Sequence, residues 1–169
     1  MAHWLARLVK HRLVDEDDAR RLLGTDALAR IQARVAESEK RHSGEIRVVV
    51  EAGLPFSYLR RKATPRDRAV KLFGKLGVWD TERNNGVLIY LLLAERAIEI
   101  VADRGLDRQV GAEEWARIAA SMTDAFRQGD FEAGLLRAID AVDALLVRYF
   151  ARSAGDADVN ELPDAPLLR

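Results

Sequence analysis

The sequence contains no cysteine. That excludes disulfide staples, thiolate zinc sites and a cysteine nucleophile together. Histidine is nearly as scarce: His3, His11 and His42 are the three, all ahead of the first strand-like segment. Long apolar runs are missing too. The longest, Val87–Ala94, is far short of the about 20 residues that a membrane-spanning helix needs. The amino-terminal stretch MAHWLARLVKHRLVDEDDAR carries charge in every turn and has no uninterrupted apolar core or small-residue cleavage site. No signal peptide is read there, and a cytoplasmic protein that is not integral to a membrane is expected.

Net charge is absent as well, with 27 basic and 27 acidic side chains. Their placement is uneven: residues 1–75 hold 17 Lys and Arg against 10 Asp and Glu, and residues 76–169 hold 10 against 17. A basic front half would suit nucleic acid. Acids are interspersed among those bases, however, and no basic stripe with interleaved aromatics exists, so nucleic-acid binding is not expected.

What is present is enough for one domain. A chain of 169 residues buries about 70% of the surface that it would expose unfolded. Residues 3–43 read as helical with a break near Gly24: Trp4, Leu5, Leu8 and Val9 make one short apolar face, and Leu28, Ile31 and Val35 make a second after Thr25 as cap. Glu45–Glu51 (EIRVVVE) is β-branched and strand-like. Thr64-Pro65-Arg66-Asp67 is a helix start, with Thr as cap, Pro in the first turn and Asp three residues on. Behind it Ala69, Val70, Phe73 and Leu76 keep helical spacing up to Gly77. Asn84-Asn85-Gly86 suits a turn, because Asn and Gly tolerate positive φ.

Val87–Leu93 (VLIYLLL) is apolar on both faces, the pattern of a central strand covered on both sides. Ala94-Glu95-Arg96 turns the chain into Ala97–Ala102 (AIEIVA), whose alternation suits a peripheral strand. Two long amphipathic helices follow, with Trp115, Ile118, Ala119, Met122 and Phe126 on one stripe and Leu135 through Phe150 on the other. Arg152–Arg169 lacks periodicity and reads as a flexible tail.

This order of strand, helix, strand, hairpin, strand, helix, helix predicts an α/β fold. Its small mixed β-sheet has a parallel first pair and an antiparallel hairpin, sandwiched between helices, with an N-terminal helical extension. The expected divisions are an extension over 1–24, a domain over 25–150 and a tail over 151–169.

Several short motifs fall in a telling order: Ser43-Gly44-Glu45-Ile46 with Val48–Val50, Asn84-Asn85-Gly86-Val87-Leu88, Asp103-Arg104-Gly105-Leu106, and Phe126-Arg127-Gln128-Gly129-Asp130-Phe131 with Gly134-Leu135. Over roughly residues 25–150 the chain resembles the TPM domain family. The resemblance implies an α/β domain for which phosphatase activity and divalent-cation binding have been associated with some members. Most relatives carry a signal sequence and a carboxy-terminal membrane segment, and this chain shows neither. The family's Gly-x-Gly after the hairpin is Asp103-Arg104-Gly105 here. An aspartate ahead of the penultimate helix is displaced, with Gly111-Ala112 in its place and Glu113 and Glu114 just beyond.

The residues themselves limit the chemistry. No G-x-S-x-G elbow, G-x-G-x-x-G or P-loop occurs, which argues against a serine hydrolase or a nucleotide-binding enzyme. The expected topology gathers carboxylates and amides at one end of the sheet instead. Asp80, Asn84, Asp103 and Glu113 are the candidate metal ligands, with Glu82, Asp107 and Glu114 nearby and with Asn85 and Arg104 as candidate binding residues. Oxygen donors without imidazole or thiolate suit Ca²⁺ or Mg²⁺. Each residue also has a plainer role: Asn84-Asn85-Gly86 as a turn, Glu113 and Glu114 at a helix N-terminus, Asp103 bonded to its own loop, Arg104 in a surface ion pair. Asp130 is expected to cap the last helix at the opposite end.

Two functions fit. The first is a non-catalytic or weakly catalytic binding module, engaging a protein partner (a membrane-associated one included) under a divalent cation's control. The second is a metal-dependent phosphomonoesterase in which a bound cation polarises a phosphoryl oxygen. A helical interaction surface over residues 3–43 is compatible with either.

Overall fold

The structure is a computed structural model that describes residues 2–153 and 160–169, with side chains from residue 5 onward. His3 and Trp4 of the expected first helical face lie outside the described side chains. The elements run α1 Ala2–Arg12, α2 Glu16–Glu39, β1 Ile46–Glu51, α3 Phe56–Arg60, α4 Pro65–Lys75, β2 Val87–Leu92, β3 Ala97–Ala102, α5 Arg104–Asp107, α6 Ala112–Gln128, α7 Phe131–Phe150 and β4 Leu167–Leu168. The sheet order is β3-β2-β1-β4. β1 and β2 are parallel, in register from Ile46 opposite Val87 to Glu51 opposite Leu92. β3 returns antiparallel to β2, with Leu91 opposite Ile98. The mixed sheet between helices is therefore present as expected.

Strand periodicity sorts the core into two layers. Ile46, Val48, Val50, Val87, Ile89 and Leu91 face one way, into a cluster with Ile31 and Val35 of α2, Met122 and Phe126 of α6, and Ile139 and Val142 of α7. Val49, Leu88, Tyr90 and Leu92 face the other way, onto Leu59 of α3 and Ala69 and Leu72 of α4. Every residue of β2 is buried, which is why its sequence does not alternate. Full burial of a Leu or Val there contributes about 1.5–3 kcal/mol each.

Local signals set the ends of the elements. Thr64 caps α4 in a reciprocal capping box with Asp67, and Pro65 opens the helix. The helical run breaks at Gly24, whose φ of 73° and ψ of 159° interrupt α2. A second break lies at Leu13–Asp15, where Asp15 caps α2 in a capping box with Asp18. The expected tight hairpin turn is a short 3₁₀ turn over Leu93–Glu95, closed by Arg96 at φ 50°.

One expectation is corrected. Of the tail read as flexible over 152–169, residues 154–159 lie outside the described residues, but residues 160–169 are fastened to β1. β4 pairs parallel with it, Val49 opposite Leu167 and Val50 opposite Leu168. Leu162 is buried, and the Leu162 N–H donates to Glu45 Oε2 at 3.2 Å. The Arg47 guanidinium donates to the carbonyls of Pro163 and Ala165 at 2.7 and 2.5 Å. Without this strap β1 would present an open edge and two buried ionisable side chains without partners. Among the described residues, no helix is long and apolar enough to cross a membrane.

Candidate functional site

The starts of β1 and β2 and the end of β3 meet at one end of the sheet. Two glycines let the loops there touch. A Cβ on Gly86 would stand 2.0 Å from the Val78 carbonyl oxygen, and one on Gly105 would stand 2.3 Å from that of Asn84. Asn84 itself takes the left-handed conformation, φ 52°, as the turn expectation required. The Gly105 N–H then reaches the Asn84 carbonyl at 2.9 Å, and the Asp103 N–H reaches that of Gly86 at 2.8 Å. The Asn84–Gly86 turn and the Asp103–Gly105 segment are thus one unit.

Within it, Asn85 is fully buried. Its backbone N–H donates to Thr81 Oγ1 at 3.1 Å, and its side-chain Nδ2 donates to Ser43 Oγ at 3.3 Å. The Ser43 hydroxyl donates in turn to the Phe150 carbonyl at 3.5 Å, which orients the Asn85 amide. Asn85 Oδ1 is left buried with no hydrogen-bond partner among the described residues. Asp103 is 8% exposed. Its Oδ1 accepts from the Arg104 backbone N–H at 2.7 Å, capping α5, and its Oδ2 is a second buried oxygen without a partner among the described residues. Asn84 Oδ1 is occupied, accepting from Arg104 Nε and Nη2 at 3.3 and 3.2 Å.

The structure therefore joins Asn84, Asn85, Asp103 and Arg104. Asp80 and Glu113 are both exposed and make no side-chain bond to this group among the described residues. Glu113 stands in the first turn of α6, where the helix dipole favours a carboxylate. Among the described residues, no group of three or more His, Asp or Glu side chains is placed to hold a metal ion. Asp130 caps α7, its Oδ1 accepting from the Ala133 N–H at 3.1 Å.

Sequence reasoning missed several buried polar clusters. Ser38, His42 and Asp143 meet between α2 and α7: the Ser38 hydroxyl donates to Asp143 Oδ1 at 2.8 Å and lies 2.8 Å from His42 Nε2. Burial pushes the His42 imidazole down to about 4, overriding the nearby Asp143 carboxylate. All three are buried, and the aspartate faces the serine rather than the far side of the imidazole, so this is not a nucleophilic triad. Asp143 within the inward stripe of α7, between Val142 and Leu146, was the available signal.

At the other end of the sheet, His11 Nδ1 accepts from the Leu54 N–H at 2.9 Å. Its protonated Nε2 therefore donates to Glu95 Oε1 at 2.8 Å, beside Arg7 Nε at 2.7 Å. Burial raises Glu95, but those two partners outweigh it and hold the carboxyl below its ordinary range. Glu51 is bound by Arg68 at 2.5–2.8 Å and by the Tyr90 hydroxyl at 2.7 Å. Glu45 is buried beneath the strap, and burial pushes its carboxyl up to about 7.

A small mixed sheet between helix layers, with a buried asparagine and aspartate at its loop end, defines a compact α/β module. It belongs to the TPM domain family, whose sequence profile matches residues 17–145. Solved structures share the fold. The BA42 protein from the psychrophilic bacterium Bizionia argentinensis is 28% identical with a TM-score of 0.74, covering 85% of this chain and 93% of its own. The N-terminal domain of a P. gingivalis protein, 23% identical, gives a TM-score of 0.63 over 79% of this chain and 83% of that one. The N-terminal domain of a Corynebacterium glutamicum protein, 16% identical, gives 0.54 over 79% and 78%. The last two show the fold alone. No curated protein matches the chain.

Proposed function

We propose that this TPM domain is a cytoplasmic binding module whose loop end takes up a divalent cation and, with it, a protein partner. The observation that carries the reading is the pair of buried oxygens without a partner among the described residues, Asn85 Oδ1 and Asp103 Oδ2. A buried acceptor without a donor costs about 1–3 kcal/mol, and more when it belongs to a carboxylate. Two such oxygens in one loop unit are what a hard cation removes. Carboxylate and amide oxygens without imidazole or thiolate fit Ca²⁺ or Mg²⁺. Asp80, Asn84 and Glu113 would join them only by turning their side chains, and Asn84 only by releasing Arg104.

Thermal unfolding with and without millimolar calcium or magnesium tests this. At a roughly hundredfold excess over the dissociation constant, a ligand of the native state adds about 2.7 kcal/mol, or roughly 5–11 °C for a chain of this size. Asp103→Asn, which still caps α5, should cut the shift, and Asp130→Asn at the other end should retain it. A wild type indifferent to both metals would remove the cation from the proposal.

Phosphomonoester hydrolysis is the second reading, and one observation favours it: the exposed Arg104 guanidinium at the mouth of the same unit, held on Asn84. It would anchor a phosphate there. Metal-dependent release of phosphate from p-nitrophenyl phosphate, lost in Arg104→Ala, is what that reading requires.

A further inference from the structure

The first helix is packed inside out. Two polar side chains hold α1 to the domain. His11 is buried and accepts the Leu54 N–H at 2.9 Å, and Arg7 Nη2 donates to the Ala63 carbonyl at 2.7 Å. Gly53 permits the close approach, since a Cβ there would stand 2.5 Å from the His11 carbonyl oxygen. Leu8 packs inward onto the α3–α4 layer. Leu5, Val9 and Leu13, at four-residue spacing on one line, are instead 53, 54 and 75% exposed. A helix placed by burial of its apolar residues would turn that line toward the core.

Charge frames the line. On the helix surface Lys10 flanks it on one side and Arg12 on the other. The bonds of His11 and Arg7 also bring residues 53–63 beside α1, where Phe56 is 53% exposed and Arg60, Arg61 and Lys62 are exposed. Neither residues 2–14 nor residues 52–66 contain an acid. Most neighbouring acids are engaged elsewhere. Glu95 is held by Arg7 and His11, with Lys10 beside it, and Asp67 caps α4. Asp15 caps α2, and Glu16 and Asp18 pair with Arg20 and Arg21 at 2.9 and 2.8 Å. That leaves Asp17, whereas Arg12, Arg60 and Lys62 meet no carboxylate among the described residues. A convex helix with an apolar line between bases matches the plane of a bilayer, where apolar groups enter among the headgroups and basic ones meet phosphates.

We propose that this end of the sheet docks on an anionic phospholipid surface, with the α1 line and Phe56 entering the headgroup layer and Arg12, Arg60 and Lys62 on the lipid phosphates. Asn85 and Asp103 lie at the opposite end of the sheet, so the docking is independent of their cation and leaves that unit facing away from the bilayer.

The test is cosedimentation of the full chain with vesicles, in a chelating buffer so that no divalent cation takes part. The chain should bind phosphatidylcholine vesicles containing about one third phosphatidylglycerol, and not phosphatidylcholine alone. Salt at about 1 M, which cuts the screening length to about 3 Å, should release it. Val9→Gln with Leu13→Gln should weaken binding about tenfold or more. Arg12→Gln with Arg60→Gln should weaken it about 25-fold, roughly fivefold for each base. Trp79→Gln, which alters an exposed apolar residue near the opposite end, should bind as the wild type does. Every substituted residue is exposed, and circular dichroism verifies that each variant is folded. No binding to the anionic vesicles, equal binding to the neutral ones, or indifference of either double variant overturns the proposal. Binding to polyglutamate as tight as to the vesicles does so too, because the surface would then read charge alone. A concentration-dependent dimer without lipid, abolished by Val9→Gln with Leu13→Gln, also overturns it by making a second copy the occupant.

Discussion

Glu45 and His42 impose opposite pH dependences on stability, and removing one should expose the other. Burial under the strap raises the Glu45 carboxyl from an ordinary 4.5 to about 7. The folded protein therefore holds this proton more tightly than the unfolded chain. The resulting stability is full below the unfolded value and is lost as pH rises through the folded one. His42 behaves inversely. Its burial lowers the imidazole from 6.5 to about 4, so its contribution is full above the unfolded value and is lost as pH falls toward the folded one. Each tenfold difference in proton affinity between the folded and unfolded chains is worth about 1.4 kcal/mol. Between about pH 5 and pH 7, Glu45 therefore withdraws about 2 kcal/mol while His42 restores about 2 kcal/mol. In the wild type these two contributions should nearly cancel across that window. Glu45→Gln keeps an oxygen for the Leu162 N–H and deletes the titration. Its melting temperature, read by circular dichroism, should climb by roughly 4–8 °C from about pH 5 to about pH 7 relative to wild type. Titrations common to both proteins cancel in the comparison. Parallel profiles for the two would refute the argument, by showing that the Glu45 carboxyl titrates as it does in water.

Three further outcomes follow from the packing. Leu91→Asp places an unpaired carboxylate in β2, where Leu91 has no exposed surface; it should abolish cooperative unfolding at ambient temperature, because its cost of several kcal/mol rivals a total stability of about 5–15 kcal/mol. Gly86→Ala should destabilise by several kcal/mol in urea titrations and weaken any cation effect, since the new Cβ would stand 2.0 Å from a rigid carbonyl oxygen. Deleting residues 160–169 should lower the melting temperature and speed amide exchange in β1, because the strap covers its edge; unchanged exchange at Val49 and Val50 would mean that β4 contributes nothing.

Features with a local cause were legible in the sequence. Thr64-Pro65-Arg66-Asp67 forms its capping box within a single turn, and the unbroken apolar run of β2 marked a strand covered on both faces. The Asn84 turn was legible for the same reason, and the expected β2–β3 hairpin placed Asp103 beside it. Asp80 and Glu113 were drawn in because topology sends their loops to that end, but loop proximity does not orient side chains, and both point to solvent. What escaped depends on residues far apart in sequence, such as Ser38 with Asp143 and Glu45 with Leu162. Yet β1 held a clue: EIRVVVE places Glu45, Arg47 and Glu51 in a strand whose burial its valines demand, and all three are buried. A buried charge requires a partner. Arg68 and Tyr90 answer for Glu51, and the nearby helix and strand supply them. No such neighbour serves Glu45 and Arg47, whose partners are Leu162, Pro163 and Ala165 of the strap. The polar residues of β1 thus select its outer neighbour, and the unpatterned Glu161–Arg169 segment is ordered by what β1 lacks rather than by any periodicity of its own.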